Sequence, residues 1–219
     1  AVAELGLPIV LKTVTGGYDG KGQFVLRSED QIDTAWAELG PAKSLIAESF
    51  VKFSREVSII AVRGQDGDVK TWALAENHHH NGILSHSIVP APNSTDLQPV
   101  AQDYITRLLN HLNYVGVLTL ELFVTEQGLY ANEMACRVHN SGHWSIEGAI
   151  CSQFENHIRA VAGLPLGATD VVRPTVMVNI IGQHPKSEDV LALKGAHLHL
   201  YNKSERAGRK LGHITLMPN

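Results

Sequence analysis

Apolar residues fall into short runs and amphipathic stretches that predict alternating strands and helices. Ile9-Val10-Leu11, within residues 8–12, predicts a short buried strand, and residues 23–27 read as its hairpin return. Ile32, Ala35, Trp36 and Leu39 recur at helical spacing, with Ser28 and Gln31 as a capping signal and Gly40 as a stop. Strands are predicted at 44–47 and 56–63 around an irregular 49–55, and the turn Gly64-Gln65-Asp66-Gly67-Asp68 leads into another at 69–76. Residues 77–98 read as loop-rich, broken by Pro90 and Pro92. Val100, Tyr104, Ile105, Leu108, Leu109 and Leu112 then mark an amphipathic helix. A hairpin of strands 115–124 and 129–135 follows, then a helix over 146–162 ending at Gly163-Leu164-Pro165, then strands at 175–181, 197–201 and 211–216. No clean βαβ rhythm runs through this order, so the pattern predicts an α+β fold with antiparallel sheets.

Composition narrows the class. With 219 residues, 44% hydrophobic and 18% charged, the chain can build a substantial core as one large or two small domains. Eighteen basic against 22 acidic side chains leave a formal charge of −4, without the basic excess of a nucleic-acid surface. No apolar run reaches the roughly 18 residues that a membrane helix needs. Cys136 and Cys151 are too few for a disulfide framework, and with no secretory pattern at the N-terminus they point to a cytoplasmic setting. The chain begins without Met and enters an apolar stretch at once, which suggests a piece of a longer protein.

Three segments carry candidate chemistry. If Glu126-Gln127-Gly128 forms a three-residue loop, antiparallel pairing sets Glu121 opposite Glu133. Carboxylates facing at about 5 Å repel, and a divalent cation removes the conflict. Hard oxygen ligands suit magnesium, with phosphate and water completing its shell, and Asn132 adds a neutral oxygen or a phosphate contact. The alternatives are that both glutamates face solvent or that the register differs by one. The glycine-dense segment Thr15 to Gln23 is neither a Walker A loop nor a dinucleotide fingerprint. Its amides could still close over an anion, with Lys12 reaching the same group, or it is a solvated hairpin tip. In the run Asn132-Glu133-Met134-Ala135-Cys136-Arg137-Val138-His139-Asn140-Ser141-Gly142-His143-Trp144, Arg137 could fork onto an anion, and His139 and Asn140 could orient a small polar substrate. A structural network tying down the loop is the other reading. Cys136 has no clear activation beyond Arg137 and reads as a small packing residue. His78-His79-His80 lacks a further ligand at zinc spacing. Lys203, Arg206, Arg209 and Lys210 form either a solvated loop or a clamp for one anionic group.

These segments together resemble one family. LPIVLK with TGGYDGKGQ, AESFVKFSREVSIIAVRG, AENHHHNGIL, YVGVLTLELFV, NEMACRVHNSGHW, SQFENHIRAVAGLPLG and LYNKSERAGRKLGHI are similar to the 5-(carboxyamino)imidazole ribonucleotide synthetases, ATP-grasp ligases of purine synthesis. The resemblance implies two antiparallel-sheet α+β subdomains clasping ATP, with a small C-terminal β-rich domain. Residues 1–76 would be the small subdomain and adenine hinge, 77–170 the large subdomain with the magnesium site, and 171–219 the C-terminal domain.

The resemblance also implies roles. Lys12 matches the lysine on the nucleotide phosphates, and Gly17, Tyr18, Asp19, Gly20, Lys21, Gly22 and Gln23 the loop that covers them. Glu48, Phe50 and Val51 match the adenine hinge, Glu56 the ribose carboxylate and His79 a nucleotide-site contact in preference to zinc. Glu121 and Glu133 match magnesium ligands, with Asn132 beside them. Tyr18, Asp19, Arg137, His139, Asn140, Lys203, Arg209 and Lys210 would bind aminoimidazole ribonucleotide and bicarbonate, with Arg137, His139 and Lys203 nearest the chemistry.

The implied reaction is ATP-driven carboxylation through carboxyphosphate, with a homodimer as the working protein. The family carries proline where this chain has Cys136, and an N-terminal Rossmann-like domain ahead of the matched region. The chain alone is therefore expected to carboxylate poorly. Rival readings are another ATP-grasp ligase, using formate or biotin, and a nucleotide-binding module without turnover.

Overall fold

A computed structural model describes residues 1–16, 21–40 and 44–218 of the chain. It divides into two units, Ala1–Lys52 with His80–Ile83, and Phe53–His79 with Leu84–Asn219.

The first unit holds α1 (Val2–Leu5), β1 (Ile9–Thr13), β2 (Gln23–Leu26), α2 (Ile32–Leu39) and β3 (Leu45–Ser49). β1 lies between β2 and β3, antiparallel to both. Ile9, Leu26 and Ala35 form its small core, with Leu11, Phe24 and Ala47 packed around them. The helical stripe is only half realised: Ala35 and Leu39 are buried, whereas Ile32 and Trp36 are exposed. Eight residues make about two turns, too short for the whole stripe to meet a three-stranded sheet. The capping signal is also rearranged. Ser28 makes no side-chain cap, and Gln31 Oε1 instead accepts from the Arg27 amide at 2.9 Å.

The second unit is built on a larger sheet. Its strands are β4 (Arg55–Arg63), β5 (Val69–Thr71), β6 (Ala75–His80), β7 (Ile83–Val89), β8 (Gly116–Thr125), β9 (Gly128–Ala135), β10 (Thr175–Ile181), β11 (Ala196–Leu200) and β12 (Lys210–Leu216). The order is β11-β12-β10-β7-β6-β4-β8-β9, with β5 paired to β4. Helices α3 (Leu97–His111), α4 (Ser145–Gly148), α5 (Gln153–Val161) and α6 (Ser187–Leu191) complete it. Among the described residues no helix is long and apolar enough to cross a membrane.

Three expectations are corrected. Residues 69–76 are not one strand, because β5 ends at Thr71 and β6 begins at Ala75. The supposed loop 77–98 contains most of β6 and all of β7, whose polar side chains hide the strand period. The single helix over 146–162 is two, α4 and α5, separated by extended backbone at Ala149 and Ser152. Ser152 caps α5 by accepting from the Glu155 amide at 3.1 Å.

Alternation along β4 and β8 decides what each sheet face carries. Val57, Ile59 and Ala61 share one face with Leu118, Leu120 and Leu122, and Ala101, Ile105 and Leu109 of α3 pack on it. On the other face Ile60, Val62 and Val117 join Trp72, Trp144, Ala160 and Met177 in a second core. Toward the other end of that second face the residues turn polar: Ser58 is registered with Glu121, and Glu56 with Asn77. The candidate site stands on this polar end, directly beside a packed core.

Candidate functional site

Glu121 and Glu133 do pair, but by a different route from the one expected. The β8–β9 connection is a two-residue turn, Glu126-Gln127, with Thr125 registered to Gly128. That register alone would set Glu121 against Asn132. A bulge between Leu122 and Glu121 inserts Asn132 as an extra residue and restores the Glu121–Glu133 pairing. Asn132 and Glu133 therefore both oppose the one glutamate of β8. Gly128 takes a φ of 122°, which a side chain would strain, so the tight turn depends on glycine here.

A third group reaches the pair from the loop after β9. His139 Nε2 lies 3.2 Å from Glu121 Oε1, and its Nδ1 lies 2.8 Å from Ser141 Oγ. Gln153, wholly buried at the start of α5, clamps this loop by both ends of its amide. Its Oε1 accepts from the His139 amide at 2.9 Å, and its Nε2 donates to the His139 carbonyl at 2.7 Å. A Cβ on Gly142 would come within 2.6 Å of Gln153 Oε1 and 2.4 Å of Ile60 Cδ1, so only glycine lets the loop pass this close.

Ligand atoms of Glu121, Glu133 and His139 all lie within 4.8 Å of one another, the one such group among the described residues. The glutamate side chain of β8 is 16% exposed, and burial, then the charge of Glu133, pushes its carboxyl up to about 7. Two carboxylates that resist sharing negative charge fit a hard divalent cation well. The neutral imidazole suits that cation less as a ligand than as a hydrogen-bond donor to the carboxylate. Burial, then Arg137 and Lys210, holds His139 down at about 4, so its ring is neutral near pH 7. His79 behaves in the opposite way. Burial would lower it, but the hydrogen bond and charge of Glu56, 3.2 Å from its Nδ1, outweigh that and raise it. Glu56, His79 and Glu121 are thus coupled on one face, and Lys210 acts on all three histidines His79, His139 and His143.

The other expected residues are distributed as follows. Gly17, Tyr18, Asp19 and Gly20 lie outside the described residues, while Lys21 and Gly22 lead into β2, which Gln23 opens. In the first unit Lys12 Nζ pairs with Glu48 at 2.6 Å across β1 and β3. The Phe50 amide donates to the Pro8 carbonyl at 3.2 Å, its ring lies under Arg27, and Val51 follows in irregular chain. In the second unit Asn140 and Asn179 exchange two amide hydrogen bonds of 2.9 and 2.8 Å. Arg137 is exposed and donates to the Val138 carbonyl, Lys203 sits over the Tyr201 ring, and Arg209 bonds Ser204. His79 occupies a strand, with His78 on the opposite face, stacked on His86. Cys136 is exposed, which overturns its packing role. Gln153, Ser58 and Asn77 escaped the sequence reading. The Ser152-x-x-Glu155 cap would have signalled where the helix bearing Gln153 begins.

The chain belongs to the ATP-grasp family, whose domain description matches residues 1–154. Residues 175–219 match the phosphoribosylaminoimidazole carboxylase C-terminal domain. The chain is 53% identical over 216 residues to the N5-carboxyaminoimidazole ribonucleotide synthase of Pseudomonas aeruginosa, covering 99% of this chain and 59% of that one. Its likeness to the Bacillus subtilis synthase is 51% over 221 residues, covering 99% and 58% respectively. A crystal structure of the Thermus thermophilus synthetase superposes with a TM-score of 0.92 at 50% identity, covering 99% of this chain and 59% of that one. A structure from Aspergillus clavatus in complex with ADP and 5-aminoimidazole ribonucleotide superposes at 0.91 with 32% identity, again covering 99% and 59%. The chain thus spans less than two thirds of the relatives it matches.

Proposed function

We propose that this chain is the ATP-grasp and C-terminal part of a ligase that carboxylates 5-aminoimidazole ribonucleotide with bicarbonate, forming N5-carboxyaminoimidazole ribonucleotide, ADP and phosphate. The observation that carries the reading is the opposed pair Glu121 and Glu133 with His139, with the β8 glutamate's carboxyl pushed up to about 7. Similarity to synthases of this name over nearly the whole chain supports the substrate class. The bound ADP and ribonucleotide of the Aspergillus structure support it further.

In the proposed chemistry a bicarbonate oxygen attacks the γ-phosphorus, the bond to ADP breaks, and carboxyphosphate forms. The amine nitrogen then bonds to the carboxyl carbon, the carbon–oxygen bond breaks, and phosphate leaves while the amine loses a proton. Glu121 and Glu133 would hold Mg2+, which when bound neutralises phosphate charge. Asn132 would supply a neutral oxygen beside them, and Glu56 would hold the ribose hydroxyls with His79 against it. In the first unit Lys12 would serve the phosphates, exchanging Glu48 for the nucleotide, with Glu48, Phe50 and Val51 at adenine. Lys21, Gly22 and Gln23 belong to the covering loop in this reading. Arg137, His139, Asn140, Lys203, Arg209 and Lys210 would hold bicarbonate and the ribonucleotide. The parts 1–76, 77–170 and 171–219 are proposed as the two subdomains and the C-terminal domain of a cytoplasmic homodimer.

Coupled ADP release with each substrate omitted in turn tests the proposal. Release that needs both aminoimidazole ribonucleotide and bicarbonate supports it. Stimulation by formate or biotin in their place assigns another ligase of the family, and ATP binding without release assigns a module lacking turnover.

A further inference from the structure

A row of buried hydrogen bonds runs from the middle of the large sheet to the carboxylate pair. Ser87 Oγ on β7 donates to Asn77 Oδ1 on β6 at 2.8 Å, and Asn77 Nδ2 donates to Ser58 Oγ on β4 at 2.9 Å. Ser58 Oγ donates to Ser141 Oγ at 2.8 Å, and Ser141 Oγ meets His139 Nδ1 at 2.8 Å. Ser58, Asn77, Ser87 and Ser141 are all at most 5% exposed. Each link is a direct contact between side chains, so the polarity of one bond constrains the next.

A hydroxyl carries one proton. With Asn77 donating to it, Ser58 turns its own proton to Ser141, and Ser141 turns its proton to His139. The Ser141 amide also points at Nδ1, at 3.4 Å. Both donors require a bare Nδ1, and a neutral ring then carries its proton on Nε2, facing Glu121 Oε1 at 3.2 Å. We propose that Ser87, Asn77, Ser58 and Ser141 are positioning residues that fix the Nε2–H tautomer of His139 and so aim a hydrogen bond at Glu121. This deepens the ligase reading and rests on it only for the role given to Glu121; the tautomer itself does not.

The test uses the full chain, labelled with 15N in histidine, at one pH near 7 and without ligands. Long-range proton–nitrogen spectra separate protonated from bare ring nitrogens, and His139→Gln assigns the signal by its loss. The wild type is expected to show His139 protonated on Nε2. Asn77→Asp replaces the donor by an acceptor of the same shape, so Ser58 must donate backward and Ser141 must follow. Only the Ser141 amide and Glu121 then hold the proton on Nε2, and a measurable share of it is expected on Nδ1. Should that variant not fold, Ser87→Ala frees the Asn77 amide to turn, and a mixture of both tautomers is expected. In either variant, ADP release by the wild-type-active protein should fall roughly tenfold in kcat with the KM for ATP changed less than twofold. A wild-type ring protonated on Nδ1, or the wild-type pattern kept in every folded variant, overturns the proposal. A wild type without ribonucleotide-dependent ADP release overturns the ligase reading instead and leaves the spectra decisive for this one.

Discussion

Glu121 lies on the polar end of a sheet face whose other end is a packed core, and that position explains its proton affinity. Burial disfavours its charge and Glu133 opposes it, so its carboxyl sits at about 7 instead of 4.5. Near neutral pH a proton therefore competes with a cation for this carboxyl. Binding of Mg2+ with nucleotide at pH 7 should release a fraction of a proton per ion from this carboxyl, lost in Glu121→Gln. Calorimetry in buffers of different ionisation enthalpy measures this directly. Position along the same hairpin matters as much as charge. Glu133→Gln should lower turnover about a hundredfold, whereas Glu126→Gln, in the turn, should change it less than about twofold. Equal losses in a steady-state assay would refute the carboxylate assignment. Glu121 and Glu133 were legible in the sequence as a pair, and His139 as a candidate for orienting substrate, but not as the partner of Glu121. Nothing local says which nitrogen of a ring meets which oxygen.

Elements set those meetings. The expected three-residue loop and regular ladder gave the right pairing by two compensating differences, a shorter turn and a bulge at Asn132. Polar strands are also poorly legible: Glu76-Asn77-His78-His79-His80 has no apolar alternation, because one face serves the site and the other holds Arg55 and a histidine stack. The loop after β9 depends on α5 through Gln153. Gln153→Ala leaves the His139 amide and carbonyl without their partners and should destabilise the fold by about 2–4 kcal/mol in urea unfolding. Another buried group sets an acid limit at the β11–β12 end. Tyr201 Oη lies 2.7 Å from His213 Nδ1, and burial, then His143 and His199, holds His213 down at about 3. The unfolded chain binds a proton there below about 6.5 that the folded chain refuses, so this contribution to stability is lost as pH falls. His213→Gln should make the slope of unfolding free energy against pH, between 4 and 6, shallower by about 1.4 kcal/mol per unit. Urea midpoints across that range read it out.

At the scale of the whole molecule, two units carry different shares of the proposed chemistry. The first presents Lys12 paired with Glu48, the second the carboxylates, His139 and the basic residues near β12. The relatives extend beyond the part that this chain matches, 59% of the Pseudomonas synthase being covered. Fusing the chain to the remaining segment of that relative should raise ribonucleotide-dependent ADP release by roughly tenfold or more, because substrate positioning multiplies rate. An unchanged rate would assign the full chemistry to the chain as given. Fold class, most strand positions and the candidate acids were determined by the sequence itself, since hydrophobic alternation and turn residues act locally along the backbone. The bulge, the split of the 146–162 helix, the Gln153 clamp and the serine–asparagine row to His139 were decided only by tertiary structure. Periodicity tells a side chain which face of its strand to take. Which polar groups then meet across that face depends on turn lengths and on one inserted residue, and these act between segments far apart in the chain.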